Sequence, residues 1–168
     1  MTARRGFLAA SAATFGLLAL GRRGRAAAVD APTDPDGIEA VRLSDAEWRQ
    51  RLNDMEYEVL REEGTERAYT SPLNKEKRDG DYLCRGCGLL LFHSKWKYDS
   101  GTGWPSFYDV VQAHIGTKED DNLFYTRTEY HCARCGGHQG HVFDDGPQPT
   151  GLRYCNNGVA LEFRPRAT

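Results

Sequence analysis

Five cysteines are distributed unevenly along the chain. Four form two Cys-x-x-Cys pairs, Cys84/Cys87 and Cys132/Cys135, with residues 88–131 between them. Two such pairs fill one tetrahedral zinc site, because each can turn two thiolates toward a single point. Such a metal ties together segments that are distant in sequence. Structural zinc contributes ~10–16 kcal/mol in small peptides, enough to decide whether a small domain folds. Redox-active or disulfide pairs are the competing use of the same spacing in an exported chain.

Cys155 is the thiol left over. With Arg153 two residues before it, it can be held as a thiolate by positive charge and nearby donors, the state a nucleophile requires. The plainer alternative is a buried, inert cysteine. His138 and His141 follow the second pair. Four cysteines already complete a tetrahedron, so the histidines are free to donate protons or hydrogen bonds; further metal ligation is the alternative. Trp104 lies in Ser100-Gly101-Thr102-Gly103-Trp104-Pro105-Ser106-Phe107, a Gly- and Pro-rich loop in which core packing explains an indole poorly. A rigid indole face on a loop can bind an apolar or sulfur-bearing group.

The elements that must position these residues are legible as two regimes. Ser44 with Glu47 three residues on is a capping box, and Leu43, Trp48 and Leu52 form an apolar stripe. Met55, Val59 and Leu60 form a second stripe. The pattern predicts two short helices, 45–52 and 54–62, ended by Gly64. From Asp81 onward the helical period disappears, and short apolar or alternating runs separated by Gly and Pro take over. The runs are Leu89 to Phe92, Val110 to His114, Leu123 to Tyr130 and His141 to Phe143, followed by two arms around Cys155. Leu152 to Cys155 reads as one strand, Asn157-Gly158 as a tight turn, and Val159 to Phe163 as a returning strand. The expectation is a mainly β domain with a small helical N-terminus. No repeat, Walker motif or dinucleotide signature is present.

Residues 1–28 carry Arg4, Arg5, Arg22, Arg23 and Arg25 and no acid. Arg4-Arg5-Gly6-Phe7-Leu8 resembles a twin-arginine export signal, with a weakly apolar run to Leu20 and an Ala26-Ala27-Ala28 cleavage site. A transit peptide and an uncleaved membrane anchor are the alternatives. Removing the leader leaves 17 basic against 24 acidic residues, a formal charge of −7, which argues against nucleic acid as a partner. Export by the twin-arginine route places the protein in the periplasm with no stable membrane insertion after cleavage. Residues 29–40, with Pro32 and Pro35, read as a flexible lead-in, and 41–168 as one domain.

From Trp48 to the strand after Cys155 the chain resembles the B-type methionine sulfoxide reductases. The resemblance runs through Tyr57-Glu58-Val59-Leu60-Arg61, Gly64-Thr65-Glu66-Arg67 and the first Cys-x-x-Cys. It continues through Lys97-Tyr98-Asp99 and the Ser100–Phe107 loop, the second pair, and Gly140-His141-Val142-Phe143-Asp144-Asp145-Gly146-Pro147. Pro149-Thr150-Gly151-Leu152-Arg153-Tyr154-Cys155 completes it. It implies two antiparallel sheets, a β-tent, stapled by zinc on Cys84, Cys87, Cys132 and Cys135. It implies Cys155 as the nucleophile, His138, His141, Arg153 and Asn157 as its polar companions, and Trp104 against the substrate's methyl group.

The implied substrate is R-epimer methionine sulfoxide in oxidised peptides and proteins. The thiolate attacks the sulfoxide sulfur, a histidine supplies protons to the oxygen, and Cys155 becomes a sulfenic acid. A thioredoxin-like protein or small thiol is the implied reductant. Asn156 and Gly158 depart from the commoner Ile or Val and Ser, and Thr102 stands where many members carry a resolving cysteine. Two rival readings are a zinc-ribbon-like binding module without catalysis, and another thiol enzyme on the same stapled fold.

Overall fold

A computed structural model describes residues 37–121 and 125–167. Residues 1–28, expected to be an export leader, residues 29–36 of the expected lead-in and Leu123 lie outside the described residues. The two helices form where the capping signals put them. Helix α1 spans Asp45–Arg51, and Ser44 and Glu47 close the reciprocal capping box. Helix α2 spans Asp54–Glu62 with a second box, Asn53 and Glu56, that the sequence reading did not single out. It has the expected bounds, whereas α1 stops one residue short of Leu52; past Glu62, Glu63 takes the left-handed conformation (φ 57°), and the Gly64 N–H donates to the Glu58 carbonyl at 2.9 Å. A Cβ on Gly64 would lie 2.8 Å from the Glu58 side chain, so the chain leaves the helix through a glycine. Trp48, Leu52, Val59 and Leu60 are buried as the stripes require, whereas Met55 is exposed.

Among the described residues nine strands follow: β1 Gly80–Cys84, β2 Leu90–His93, β3 Lys97–Tyr98, β4 Ser106–Phe107, β5 Ile115–Asp120, β6 Arg127–Cys132, β7 His138–Phe143, β8 Arg153–Asn156 and β9 Leu161–Pro165. They form two antiparallel sheets, one ordered β2-β1-β9 and the other β3-β4-β8-β7-β6-β5. The core between them is aromatic. Phe92 stacks on Phe107 with centroids 4.1 Å apart and planes 10° apart, and Tyr82, Tyr130 and Tyr154 pack edge-on or tilted around that pair. Such rings supply large buried area and fixed contact geometry in a small domain.

Two expected elements are corrected. Val110 to His114 is not a strand: Gln112–His114 is a short 3-10 helix, and the strand starts at Ile115. The arms around Cys155 are not a hairpin either. Strand β8 pairs with β4 and β7, while β9 pairs with β1 in the other sheet. Asn157 has φ −66°, whereas a two-residue hairpin turn of the Asn-Gly kind needs positive φ at both central residues. The cause is a partner 91 residues away. The buried Glu66 carboxylate accepts the N–H groups of Gly158 and Val159, and the Glu66 N–H donates to the Asn157 side chain at 3.0 Å. These bonds draw residues 157–160 into a 3-10 turn that carries the chain from one sheet to the other.

Candidate active site

The four paired cysteines converge where the two sheets meet. Cys84 ends β1 of the smaller sheet and Cys132 ends β6 of the larger. The two turns are built alike. The Gly88 N–H donates to the Cys84 carbonyl at 2.7 Å, and the Gly136 N–H to the Cys132 carbonyl at 2.8 Å. Both glycines have positive φ, 74° and 67°, which is where L side chains are strained. All four sulfurs lie within 4.8 Å of one another, with Cys84–Cys135 at 3.6 Å and Cys87–Cys132 at 3.5 Å. Metal–sulfur bonds of about 2.3 Å in a tetrahedron put sulfurs about 3.8 Å apart, so this cage fits a metal ion. None of the five cysteines forms a disulfide.

The register of the larger sheet assembles a second site. Tyr98 pairs with Ser106, Ser106 with Cys155, Cys155 with His141, His141 with Glu129, and Glu129 with Lys118. Directly paired residues project from the same face, so Cys155 and His141 are neighbours although 14 positions apart. Gly140 makes this pairing possible: a Cβ there would sit 1.9 Å from the Cys155 carbonyl oxygen. Cys155 opens into a cavity of about 120 Å³ lined also by Thr65, Trp104, Arg127, His141, Phe143 and Asn157.

The loop carrying Trp104 is fixed from several sides. The indole N–H donates to the Glu66 carbonyl at 3.0 Å. The Gly103 carbonyl accepts from the Tyr69 N–H at 2.7 Å and from the Asn74 side chain at 2.9 Å, and the Tyr69 hydroxyl donates to the Gly101 carbonyl at 2.7 Å. Tyr69 holds φ 67°, a strained conformation for a bulky residue, and it is stabilised by this clamp.

Each expected polar companion acquires a definite partner. Arg153 is buried and makes a two-pronged ion pair with Asp145, 2.7 and 2.8 Å, while its guanidinium lies 4.3 Å from the Phe143 ring centre. Burial pushes the Cys155 thiol above its ordinary value; Arg153 and hydrogen bonds from Thr102 and Arg153 pull it back, and Asp145 opposes them. The expected help from Arg153 is therefore real but does not by itself outweigh burial. His141 binds Asp120 through Nε2 at 2.7 Å, and Arg127 binds the same carboxylate oxygen at 2.5 Å. Burial lowers the His141 pKa against the pull of Asp120, with Arg127 and His138 lowering it further.

His138 is buried outside the cavity lining, with Nδ1 at 2.7 Å from Glu129 and Nε2 without a hydrogen-bond partner among the described residues. Its ring centre is 5.5 Å from that of His141. The Asn157 amide donates to the Gln139 carbonyl at 3.0 Å, so this side chain is tied to two backbones.

Glu66, Asp120, Glu129 and Asp145 were not foreseen as functional. Glu66 and Asp145 lay inside recognised motifs, so their position was a signal; Asp120 and Glu129 sit on strands with nothing local to mark them.

Comparison with known proteins decides which family built this arrangement. Residues 52–165 match the SelR domain. The chain belongs to the B-type methionine sulfoxide reductases. Curated relatives named "Peptide methionine sulfoxide reductase MsrB" align along most of its length. The one from Methanosarcina barkeri is 50% identical over 127 residues, 75% of this chain and 89% of that one. Those from Leptospira interrogans and Bradyrhizobium diazoefficiens are 49% and 46% identical, covering 74% and 82% of this chain and 95% and 99% of theirs. Among solved structures, the Mis18 "Yippee-like" domain aligns with a TM-score of 0.43 and 17% identity, over 54% of this chain and 100% of that one. The cysteine cage and the Cys155 cavity are separate places in the fold, and their cysteines lie on different strands. Cys132 closes β6, whereas Cys155 lies within β8.

Proposed function

We propose that this chain reduces the R epimer of methionine sulfoxide in peptides and proteins, with Cys155 as nucleophile. The observation that carries the reading is the sheet register that sets Cys155 directly against His141 in a cavity that Trp104 also lines. The substrate's methyl group packs on the indole face, and the sulfoxide oxygen points toward His141 and Arg127. Fixing methyl and oxygen at once leaves one handedness at sulfur with its electrophilic face toward Cys155.

The Cys155 thiolate forms a bond to the sulfoxide sulfur as the oxygen is protonated. Since Nε2 of His141 is engaged with Asp120, Nδ1 is the nitrogen left to serve the oxygen, directly or through water. His138 supports His141 from behind the cavity wall through its own pairing with Glu129. The S–O bond and the bond between the two sulfurs then break as the hydroxyl passes to the Cys155 sulfur, which releases methionine, reduced by two electrons, and leaves Cys155 oxidised to a sulfenic acid. An external thiol then attacks that sulfur, expelling water and forming a mixed disulfide. A second thiol restores Cys155 and leaves as the oxidised partner. A thioredoxin-like protein or a small thiol supplies these electrons.

The cysteine cage fits zinc, which would act there by cross-linking the sheets through Cys84, Cys87, Cys132 and Cys135, one ion per chain. For location we propose export by the twin-arginine route into the periplasm and repair of oxidised exported proteins there. The support is the arginine pair at Arg4-Arg5 and the acid-free leader. Arg4→Lys with Arg5→Lys should leave precursor inside the cell, and unchanged export would end this part of the reading.

Turnover on separate R and S methionine sulfoxide peptides with dithiothreitol tests the central assignment. The R epimer should be reduced and the S epimer left, and Cys155→Ser should abolish turnover with the fold intact. Full activity in Cys155→Ser would overturn the assignment.

A further inference from the structure

Strand β7 carries one residue more than the stretch of β6 it faces. Tyr130 pairs with Gly140 and His131 with His138, so Gln139 is a bulge that no residue of β6 opposes. In an unbroken strand, residues three apart project from opposite faces. The extra residue brings His138 and His141 together, ring centres 5.5 Å apart, and lets His138 reach Glu129, the residue paired with His141.

Gln139 is fully buried, and a buried amide needs partners. Its Nε2 donates to the Cys84 sulfur at 3.5 Å and to the Gly137 carbonyl at 3.3 Å. Its backbone carbonyl accepts from the Asn157 N–H at 2.8 Å and from the Asn157 side chain at 3.0 Å. One residue thus touches the cysteine cage with its side chain and the segment after Cys155 with its backbone. His141, on the same strand, and Asn157 both line the Cys155 cavity.

Sulfur is larger than oxygen, so N–H···S bonds run longer than N–H···O bonds. A thiol both donates and accepts, but a metal-bound cysteine is a thiolate and only accepts. With metal in the cage, the Cys84 sulfur fixes which way the Gln139 amide points, and a bond to an anion is stronger than one to a neutral group.

We propose that Gln139 is a positioning residue that couples the cysteine cage to strands β7 and β8. Its amide donates to the metal-bound Cys84 thiolate, and that bond holds the bulge that sets His141 and Asn157 around Cys155. The catalytic half of the proposal rests on Cys155 being the nucleophile; the cage half does not.

The cadmium-loaded wild type tests the bond without a variant. Nuclear magnetic resonance should show a Gln139 side-chain amide proton coupled to the metal through the Cys84 sulfur, and no coupling overturns the proposal. Gln139→Met keeps the length of the side chain and the backbone carbonyl, and removes the donor. Competition with a chromophoric chelator should show zinc affinity lower by about tenfold to a hundredfold, the usual cost of losing a partner of a metal ligand. With zinc saturating, kcat on an R methionine sulfoxide peptide should fall about tenfold with KM within about twofold of wild type, since the Trp104 contact is untouched. Zinc affinity equal to wild type overturns the donor, and lower affinity with unchanged kcat overturns the coupling. A wild type inactive on the R epimer ends the Cys155 assignment instead, and the cadmium and chelator measurements still decide the bond. A thermal melt checks folding, and Gln139→Leu replaces Gln139→Met if the latter does not fold.

Discussion

The Trp104 indole donates to the backbone carbonyl of Glu66, whose own carboxylate holds the turn that follows Cys155. One buried residue thus fixes the distance between the indole and the strand that carries Cys155. Glu66→Ala would leave two N–H groups, of Gly158 and Val159, without their acceptor. Each buried donor left unpaired costs ~1–3 kcal/mol, so urea unfolding should show a loss on the order of 2–5 kcal/mol. The Michaelis constant for a methionine sulfoxide peptide should rise in parallel. A variant as stable as wild type would show that the carboxylate does not hold the turn.

Metal content and stability should fall together when a cage cysteine is replaced. Purified protein should contain about one zinc per chain. Cys84→Ser, from the smaller sheet, and Cys132→Ser, from the larger, should each lose the ion and lower the melting temperature. Metal analysis beside calorimetry checks this. A zinc-free protein of unchanged stability would mean that the cage does not staple the sheets.

Acid stability should depend on Glu129. Burial raises its pKa, but hydrogen bonds and attraction from His131 and His138 overcome this and bring it to about 2, below the ordinary 4.5. A carboxylate lowered on folding contributes stability that is complete above about 4.5 and disappears as pH falls toward about 2. Wild-type stability should therefore decline across that window by on the order of a few kcal/mol beyond any decline in Glu129→Gln. Parallel urea titrations at several pH values measure both slopes, and equal slopes would contradict the assignment.

Regeneration of Cys155 should require a thiol from outside the chain. Thr102 cannot form a disulfide, and the other four thiols are gathered within 4.8 Å of one another in the cage. One equivalent of substrate without reductant should leave a sulfenic acid on Cys155 that dimedone traps, with zinc retained. An intramolecular disulfide from Cys155 to a cage cysteine, accompanied by zinc release, would refute this.

Much of this protein is local and was therefore readable in order. The Ser44–Glu47 box acts over three residues and placed α1. Each Cys-x-x-Cys turn closes on its own backbone, so the spacing alone announced the cage. The Ser100–Phe107 loop and the residues around His141 and Cys155 were legible as motifs. What the order of residues did not contain was pairing. Asn157-Gly158 has the local chemistry of a hairpin turn, yet Glu66, 91 residues away, takes its N–H groups and sends β9 to the other sheet. Carboxylate–histidine partnerships between strands, Asp120 with His141 and Glu129 with His138, depend on register, which no short segment encodes. The same holds for acidity. Arg153 beside Cys155 in sequence suggested a lowered thiol, but burial and Asp145, both products of packing, reverse the balance.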